Sequence, residues 1–323
     1  MKGFQLIATG GALPGRTVTN EELSRTVDTS DAWITSRTGI RTRHWCTADE
    51  SAATLAIAAA KQALQRSGLA PADIACCVCA TLSAPDATPS VACQVQAALG
   101  LPENRPALDV NAACSGFLYG TAVARGLLAT LGGQYALVIG CEALSRLMDP
   151  ADRSTCVLFG DGAGAAVLKA EETGIIDMMM GADGTKGDVL ACTSRTVGNF
   201  LTGTKPELGF MTMDGQEVFK FAVRKVPESV MELLQRTGTK KEDIKYYVLH
   251  QANERIIEAA ARRLKEPMEK FPMTISQFGN TSTASIPLLL DDMIRKDMLK
   301  RGDKIIMSGF GAGMTWGAVL MEW

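Results

Sequence analysis

The chain carries an internal repeat at an offset of 170 residues. The segment QRSGLAPADIACCVCA (residues 65–80) aligns without a gap on QRTGTKKEDIKYYVLH (residues 235–250), with Gln, Arg, Gly, Asp, Ile and Val at equivalent positions. A second similarity pairs FGDGAGAAVL (159–168) with FGAGMTWGAVL (310–320). A duplication of this length indicates one supersecondary unit that occurs twice. The fold must therefore place two similar units side by side.

Each copy of the repeat predicts a helix followed by a buried strand. Helices over residues 51–66 and about 217–236 end at a glycine and lead through a polar loop into a β-rich apolar run. Further apolar runs such as YALVIG (135–140) and KIIMSGF (304–310) are typical of sheets covered by helices. The pattern predicts an α/β fold.

One helical segment should lie between the sheets. Residues 113–131 are small and apolar, and Arg125 is their only charged side chain. A helix that is apolar on all sides is expected to be buried. We therefore predict two sheets that enclose central helices, with duplicated halves at residues 1–172 and 173–323.

The charge balance excludes several classes of partner. Lys and Arg number 33 against 35 Asp and Glu, so no basic field favours nucleic acid or an anionic membrane. The N-terminal MKGFQLIATGGALPG is broken by Gly-Gly and is not typical of a signal peptide. No uninterrupted run reaches the roughly 18 apolar residues of a membrane helix. We expect a cytoplasmic protein with neither a nucleic-acid nor a membrane partner.

The cysteine and histidine contents argue against disulfides and zinc. Nine cysteines are an odd number, and Cys76, Cys77 and Cys79 lie inside one apolar run, so we expect reduced thiols. His44 and His250 are the only histidines and no paired CxxC occurs, so we expect no metal. His44, in TGIRTRHW, is interpreted as a solvated loop residue.

Cys114 lies in DVNAACSGF (109–117), at the first turn of the predicted central helix. Unpaired N–H groups and the positive end of the helix dipole favour a thiolate at such a position. Its small neighbours leave room for a substrate, and its own N–H could face an oxyanion. The alternative is that Cys114 is one more small core residue. This segment alone leaves both interpretations open.

Two further segments could contribute to a site with Cys114. His250 ends the strand YYVLH directly before a predicted helix, at the kind of junction where α/β proteins place active groups. Asn280, in GNTSTASIP (279–287), occupies roughly the place of DVNAACSGF in the other half and could donate a hydrogen bond. Alternatively, His250 could be a half-buried structural histidine, and the segment around Asn280 could be an ordinary helix start.

The glycine-rich turns are not interpreted as nucleotide-binding loops. SGFGAGMTWG (308–317) and GDGAG (160–164) precede strand patterns, whereas a phosphate-binding loop precedes a helix. The first of them could instead direct a backbone N–H into a cavity.

The segments NAACSGF, LHQANERI and GNTSTASIP, in this order and spacing, resemble those of β-ketoacyl-acyl carrier protein synthase III, of the thiolase superfamily. The resemblance runs essentially from end to end and includes DAWITSRTGI, FGDGAGAAVL and the final GFGAGMTWG. It implies the thiolase-like five-layer αβαβα fold and, usually, a homodimer. The implied reaction is a decarboxylative Claisen condensation of an acyl-CoA primer with malonyl-acyl carrier protein. Its products are a β-ketoacyl-acyl carrier protein, CO2 and CoA, and it begins type II fatty acid synthesis.

The resemblance assigns catalytic roles to residues in both halves. Cys114, in the N-terminal half, takes the acyl group as a thioester. His250 and Asn280, in the C-terminal half, donate hydrogen bonds to the enolate that the loss of CO2 leaves. The backbone N–H groups of Cys114 and Ala312 hold the oxyanion of the Cys114 thioester. No metal or cofactor is expected besides the coenzyme A thioester substrate. Whether His250 or the helix dipole mainly activates Cys114 is left open.

The family pattern also suggests binding residues. For coenzyme A it matches Trp33, Arg37 and Arg153 around the adenine and phosphates, with Asn253 near the pantetheine. An indole stacks on a flat base, and guanidinium groups pair with phosphates. Docking of the acidic carrier protein is expected at basic residues, namely Lys220, Arg255, Arg262 and Arg263, of which the last three share a helix face. Alternatively, Trp33 could pack in the core, and the basic residues could form an ordinary solvated helix face.

The chain departs from the family pattern at three positions. Thr88 is assigned to the acyl pocket, because relatives restricted to acetyl primers commonly carry there a bulky Phe that crosses the dimer interface. The smaller side chain puts an acetyl preference in doubt and could admit longer or branched primers. Thr283 stands where Ala is more usual, and Ala312 stands where Gly is common. Their backbone roles require negative φ.

Three other functions remain as alternatives. An acyltransferase or a specialised-metabolite enzyme of polyketide or quinolone type could keep Cys114 on the same fold without decarboxylating malonyl groups. A papain-like hydrolase uses Cys, His and Asn in this order, but it places bulky aromatic residues beside its cysteine, and a duplicated sheet fits it poorly. A non-catalytic acyl-binding protein would have to retain the three residues by accident.

Overall fold

The computed structural model describes residues 3–193, 201–203 and 209–323. Strands and helices alternate along both halves. The strands are β1 (Gly3–Ala12), β2 (Arg16–Thr19), β3 (Thr42–Trp45), β4 (Ile74–Ala80), β5 (Ala107–Val110), β6 (Tyr135–Glu142), β7 (Gly162–Glu171), β8 (Ile175–Ala182), β9 (Leu190–Cys192), β10 (Met211–Met213), β11 (Ile244–Leu249), β12 (Lys304–Gly311) and β13 (Thr315–Glu322). The α-helices are α1 (Asn20–Leu23), α2 (Asp31–Thr38), α3 (Ala52–Ser67), α4 (Val91–Leu99), α5 (Gly116–Leu131), α6 (Arg153–Cys156), α7 (Gly215–Thr237), α8 (Glu254–Leu264), α9 (Ile275–Phe278) and α10 (Ser285–Arg295). Short 3-10 helices span Pro71–Asp73, Ala113–Ser115, Leu144–Leu147, Gly184–Val189, Lys241–Asp243, Met268–Lys270, Ser282–Ala284 and Ala312–Met314.

Two sheets with the same strand order form the framework. The first has the order β1-β7-β6-β4-β5, and the second, read in the same direction, has the order β8-β13-β12-β11. In both sheets the strand from the sequence repeat pairs in parallel with a central strand, β4 with β6 and β11 with β12. The central strand then pairs antiparallel with the next one, β6 with β7 and β12 with β13. The internal repeat is therefore a repeat of a four-stranded unit, to which the first sheet adds β5.

Helices lie outside and between the sheets. α3 and α4 cover the outer face of the first sheet, α7 and α8 cover that of the second, and α5 and α10 lie between the two. This arrangement confirms the predicted five-layer αβαβα fold. α5 can lie in the centre because its glycines allow close packing: a Cβ at Gly116 would lie 2.7 Å from Oγ1 of Thr283.

Local signals set the ends of the two repeat helices. Ser51 caps α3 through reciprocal hydrogen bonds with Thr54, and Gly68 ends the helix with a φ of 71°. Asp214 caps α7, and Gly238 ends it with a φ of 67°. The sequence located both helices correctly because these caps are local.

The structure corrects the interpretation of His44. This residue lies in β3, is half-buried, and has Nδ1 2.9 Å from the carbonyl oxygen of Pro14. Its neighbour Arg43 is fully buried and donates to the carbonyl of Val157 at 2.8 Å. The segment is a strand and not a solvated loop because the short strand β2 pairs with it. Nothing in the polar sequence of β2 indicated that partner.

All nine cysteines are free thiols. The closest pair, Cys79 and Cys141, brings two sulfur atoms to 3.4 Å across adjacent strands without a covalent bond. No helix in the described part of the chain is both long enough and apolar enough to cross a membrane.

Candidate active site

Two equivalent turns meet at the centre of the molecule. The first turn, Ala113–Ser115, contains Cys114 and leads into α5. The second, Ser282–Ala284, leads into α10. The two turns pack against each other, and each also packs on the central strand of the other half, β12 or β6. The duplication thus brings the turn before α5 and the equivalent turn before α10 into contact.

An asparagine side chain shapes each turn. Oδ1 of Asn111 accepts the N–H of Ala113 at 3.1 Å, and Oδ1 of Asn280 accepts the N–H of Ser282 at 2.9 Å. Ala113 and Ser282 both adopt left-handed backbone, with φ of 45° and 51°. Because Oδ1 of Asn280 is occupied in this way, Nδ2 is the end of the amide that can donate to a ligand.

The predicted catalytic side chains line one cavity of about 130 Å³. Cys114, His250 and Asn280 all line it, as does Asn253. The first three are almost fully buried, with exposed fractions of 6%, 2% and 6%. Most of the remaining lining is apolar, and includes Leu158, Phe159, Val218, Ile256 and Phe310. Residues from three separate segments therefore face one small, largely apolar space.

His250 follows β11 and is held by its backbone and its ring. Its N–H donates to the carbonyl of Ser308 at 2.8 Å. Its ring meets that of Phe310 edge-on, with centroids 5.4 Å apart. Nδ1 lies 2.7 Å from Oγ of Ser285, the first residue of α10. Burial lowers the pKa of His250 to about 3, so the imidazole is neutral at physiological pH.

The hydroxyl of Ser285 determines which ring nitrogen of His250 carries the proton. Ser285 Oγ accepts a long hydrogen bond from the N–H of Gln251 at 3.4 Å. Within the described chain, Nδ1 of His250 is the acceptor that the Ser285 proton can reach, so the hydroxyl donates to Nδ1. The reverse arrangement would leave a buried hydroxyl proton unsatisfied, at a cost of about 1–3 kcal/mol. The ring proton therefore lies on Nε2, the nitrogen opposite Ser285.

Burial favours the protonated form of the Cys114 thiol. Burial raises its pKa to about 12; a hydrogen bond with Ser282 lowers the pKa only in part, and the nearby charge of Glu142 raises it. This effect of burial opposes the expected effect of the helix position, which favours the thiolate. The thiol therefore needs a proton acceptor when it reacts.

The end of β12 packs against the backbone of Cys114. A Cβ at Gly311 would lie 2.5 Å from the backbone nitrogen of Cys114, so the position requires glycine. Ala312 comes next and lines a second pocket together with Cys114. Oγ1 of Thr315 donates to the carbonyl of Ala112 at 2.9 Å. The C-terminal loop and the nucleophile turn are thus fixed to each other.

The second pocket beside Cys114 is apolar and small, at about 30 Å³. Its lining includes Leu82, Leu144, Phe159, Leu190, Cys192 and Met211. It shares Leu82, Ala113, Cys192 and Ala312 with an open cleft of about 960 Å³. The pocket can hold a short apolar group next to the sulfur.

The departures from the family pattern leave the turn backbone intact. Thr283 and Ala312 both keep negative φ, as their backbone roles require. Oγ1 of Thr283 is buried and has no hydrogen-bond partner among the described residues. Thr88 is exposed on the loop between β4 and α4, and it is not among the described residues that line either pocket beside Cys114.

The residues expected to bind coenzyme A form one cluster. The guanidinium carbons of Arg153 and Arg37 lie 4.8 Å and 5.9 Å from the centre of the Trp33 ring. Nδ2 of Asn253 donates to the carbonyl of Arg37 at 3.0 Å. Since Asn253 also lines the catalytic cavity, it connects this cluster to the site. Trp33 is half-buried, and both arginines are exposed.

The residues expected to dock the carrier protein lie on two helices that pack together. Lys220 is on α7, whereas Arg255, Arg262 and Arg263 are on α8, and all four are exposed. Arg263 donates to the carbonyl of Val223 at 2.8 Å and so links the helices. Lys220 lies 2.8 Å from Glu217 and Arg262 lies 3.6 Å from Glu258. Neighbouring carboxylates therefore partly neutralise this surface.

The sequence analysis missed the polar residues that support the catalytic set. Glu142 is fully buried at the end of β6 and accepts a hydrogen bond from Ser282 Oγ at 3.1 Å. Its only sequence signal is a carboxylate that ends an apolar run. Ser282 and Ser285 lie within GNTSTASIP, a segment from which Asn280 alone was predicted to be catalytic. In residues 3–193, 201–203 and 209–323, no three His, Cys, Asp or Glu side chains are placed to hold a metal ion.

Comparisons with known proteins agree on one family. Family models described as "3-Oxoacyl-[acyl-carrier-protein (ACP)] synthase III" and its "C terminal" part match residues 108–184 and 234–323. The "Beta-ketoacyl-[acyl-carrier-protein] synthase III" of Clostridium acetobutylicum is 44% identical over 325 residues, covering 100% of this chain and 99% of its own length. The crystal structure of 3-oxoacyl-[acyl-carrier-protein] synthase III from Aquifex aeolicus VF5 is similar with a TM-score of 0.91 at 41% identity, covering 99% of this chain and 100% of its own. The crystal structure of the priming β-ketosynthase from the R1128 polyketide biosynthetic pathway has a TM-score of 0.90 at 33% identity, covering 99% and 97% of the two chains.

Proposed function

Because the chain belongs to the 3-oxoacyl-[acyl-carrier-protein] synthase III family, we propose that Cys114, His250 and Asn280 carry out its condensation reaction. The enzyme is an acyltransferase that condenses an acyl-CoA primer with malonyl-acyl carrier protein. It releases CO2 and CoA, and the β-ketoacyl-acyl carrier protein it forms begins type II fatty acid synthesis. One observation carries the assignment of the site: the three side chains line a single cavity of about 130 Å³.

The first half-reaction transfers the acyl group to Cys114. The sulfur attacks the carbonyl carbon of the acyl-CoA, and CoA leaves with the electron pair of the broken carbon–sulfur bond. The backbone N–H groups of Cys114 and Ala312 stabilise the oxyanion. The packing of Gly311 against the backbone of Cys114 supports this arrangement, because it fixes the C-terminal loop beside the nucleophile.

The second half-reaction decarboxylates the malonyl group. Loss of CO2 places negative charge on the thioester oxygen, which needs hydrogen-bond donors. Nε2 of His250 and Nδ2 of Asn280 supply them, since Ser285 occupies Nδ1 and Ser282 occupies Oδ1. The enolate carbon then attacks the acyl group on Cys114. A neutral imidazole suits this role, because it donates a hydrogen bond without giving up its proton.

Coenzyme A binds across the cluster at the mouth of the site. Trp33 stacks on the adenine, Arg37 and Arg153 pair with the phosphates, and Asn253 contacts the pantetheine. The position of Asn253, which bonds to Arg37 and lines the catalytic cavity, supports this path. The carrier protein docks on the basic surface of α7 and α8, through Lys220 and residues such as Arg255.

The acyl primer occupies the apolar pocket that Leu144, Leu190 and Met211 line. In a homodimer, the loop that carries Thr88 reaches the pocket of the partner and closes the open cleft beside it. The exposure of Thr88 and the size of the cleft, about 960 Å³, support this arrangement. The free thiols are consistent with action in the cytoplasm.

Product analysis tests the proposed function. The enzyme is incubated with a series of acyl-CoA primers and malonyl-acyl carrier protein, and mass spectrometry follows the carrier protein and the Cys114 peptide. We expect an acyl adduct on Cys114, a β-ketoacyl-carrier protein and CO2, and the Cys114→Ala variant should form neither the adduct nor the β-ketoacyl product. An adduct without CO2 would instead favour an acyltransferase of specialised metabolism on the same fold. No adduct with any primer would overturn the assignment.

A further inference from the structure

The mechanism above does not use the buried carboxyl group of Glu142. Glu142, at the end of β6, has no exposed surface. Its Oε2 accepts hydrogen bonds from Oγ of Ser83 at 2.5 Å, the N–H of Leu82 at 3.2 Å and Oγ1 of Thr81 at 3.4 Å. Its Oε1 accepts from Oγ of Ser282 at 3.1 Å. All four donors are neutral, so the carboxyl group is buried with hydroxyls and an amide around it.

Ser282 connects Glu142 to the nucleophile. Its hydroxyl donates to Glu142 at 3.1 Å, and its turn packs against the turn that carries Cys114. Ser282 and Cys114 line the same apolar pocket. Ser282 therefore lies between the thiol of Cys114, with which it shares a pocket, and Oε1 of Glu142, to which it is hydrogen-bonded. The duplicated turn creates this contact, since it places Ser282 beside Cys114.

The thiol of Cys114 has few other proton acceptors. Among the described residues that line the two pockets beside it, His250 is the only ionisable side chain apart from thiols. Nε2 of His250 already carries a proton, because Ser285 donates to Nδ1. Burial raises the pKa of Glu142 to about 7 and lowers that of His250 to about 3. The carboxylate is therefore the stronger base of the two.

We propose that Ser282 and Glu142 take up the proton of the Cys114 thiol during acyl transfer and return it after condensation. The inference rests on the proposed function of Cys114 as the nucleophile. The S–H bond breaks, its proton passes to Oγ of Ser282, and the hydroxyl proton of Ser282 passes to Oε1 of Glu142. The freed electron pair on sulfur attacks the thioester, and the departing CoA thiolate takes a proton from water.

The second half-reaction reverses the transfer. When the enolate carbon attacks the acyl group, the bond between that group and Sγ breaks and leaves a thiolate. Neutral Glu142 returns its proton through Ser282, which regenerates the thiol and the carboxylate. Glu142 thus acts through Ser282 and does not contact the substrate. The other groups that face its carboxyl, from the loop after β4, are the hydroxyls of Thr81 and Ser83 and the N–H of Leu82.

The Glu142→Gln variant distinguishes two roles of Glu142: it either accepts the proton of Cys114 or only repels the thiolate by its charge. The rate of Cys114 alkylation by iodoacetamide is measured by peptide mass spectrometry between pH 6 and 9. If Glu142 takes the proton, the amide slows alkylation at least tenfold near pH 8, and the variant loses the rise in rate near pH 7. If Glu142 only repels the thiolate, removal of its charge speeds alkylation. Faster or unchanged alkylation would therefore overturn the proposal.

Two further variants complete the experiment. Ser282→Ala interrupts the proton transfer while it keeps the carboxylate, and the turn should tolerate alanine because Ala113 has the same left-handed backbone in the other half. It should slow alkylation as much as Glu142→Gln, and a rate equal to the wild type would overturn the relay. Glu232→Gln, on the exposed side of α7, is the matched control and should leave the rate unchanged. Alkylation needs no acyl-CoA, so a protein that forms no acyl adduct would fail the proposed function while this comparison still tests the relay.

Discussion

Oγ of Ser285 lies 2.7 Å from Nδ1 of His250, and this contact joins the start of α10 to the end of β11. Because the hydroxyl donates to Nδ1, the ring proton stays on Nε2. The proposed hydrogen bond from Nε2 to the enolate therefore needs no change of tautomer when the substrate binds. The contact also explains why a small hydroxyl residue stands at this buried position, which is 1% exposed.

Removal of the Ser285 hydroxyl should impair decarboxylation more than acyl transfer. In Ser285→Ala the ring loses its preference for the Nε2 proton, worth about 1 kcal/mol for a typical hydrogen bond, so CO2 release should fall about five- to tenfold. Acylation of Cys114 should change less than twofold. Radiolabelled CO2 release and adduct mass measure the two steps, and Ser285→Thr, which keeps a hydroxyl, should restore the first. An equal loss in both steps would contradict the tautomer assignment.

The buried imidazole should make folding stability depend on pH. The pKa of His250 is about 3 in the folded state and about 6.5 when unfolded. The unfolded chain therefore binds the proton first, and stability falls as pH drops below about 6.5, by up to roughly 1.4 kcal/mol per pH unit. Glu142 has the opposite effect on stability. Because its pKa is raised on folding, its contribution to stability increases as the pH falls. Urea unfolding of wild type and His250→Gln isolates the first effect.

The difference in unfolding free energy between these two proteins is the informative quantity. Between pH 7 and pH 5, the unfolding free energy of the wild type should fall by about 2 kcal/mol relative to that of His250→Gln. A difference that is constant over this range would show that His250 titrates normally in the folded state.

A methyl group at Gly311 should disrupt the nucleophile turn. Its Cβ would lie 2.5 Å from the backbone nitrogen of Cys114, so Gly311→Ala must displace the turn or β12. Overpacking of this kind typically costs about 1–3 kcal/mol, and we expect condensation to fall at least 100-fold. Gly126→Ala is the matched control, since a Cβ there meets no atom within 4 Å on α5. That variant should keep full activity and gain up to about 1 kcal/mol of stability.

A substitution in the cluster around Trp33 should weaken the binding only of substrates that carry the nucleotide. In Trp33→Ala the adenine loses its stacking surface, worth about 1–2 kcal/mol with the flanking guanidinium groups, so KM for acyl-CoA should rise about tenfold. The value of kcat should change little, because Trp33 lines neither of the two pockets beside Cys114. With an acyl-pantetheine, which lacks the nucleotide, wild type and variant should behave alike. A matching defect with both substrates would instead indicate a structural role in core packing.

The sequence was sufficient to predict the fold and to select Cys114, His250 and Asn280, which the structure brings to one cavity, because the repeat and the segments around these residues are local patterns. It did not identify Glu142, Ser282 or Ser285 as functional. Their roles arise from contacts between the two halves, such as that of Ser282 with Glu142, which no local pattern records. The sequence also shows the helix start at Cys114 but not the burial that raises the pKa of its thiol.

The central claim is that Asn280 and His250 serve decarboxylation at the same cavity where Cys114 holds the acyl group. The most direct test is the Asn280→Ala variant, in which the acyl adduct on Cys114 and CO2 release from malonyl-carrier protein are measured in one reaction. Loss of one oxyanion donor costs about 3 kcal/mol, so CO2 release should fall 100-fold or more while the adduct still forms. CO2 release at the wild-type rate, with the adduct present, would contradict the account.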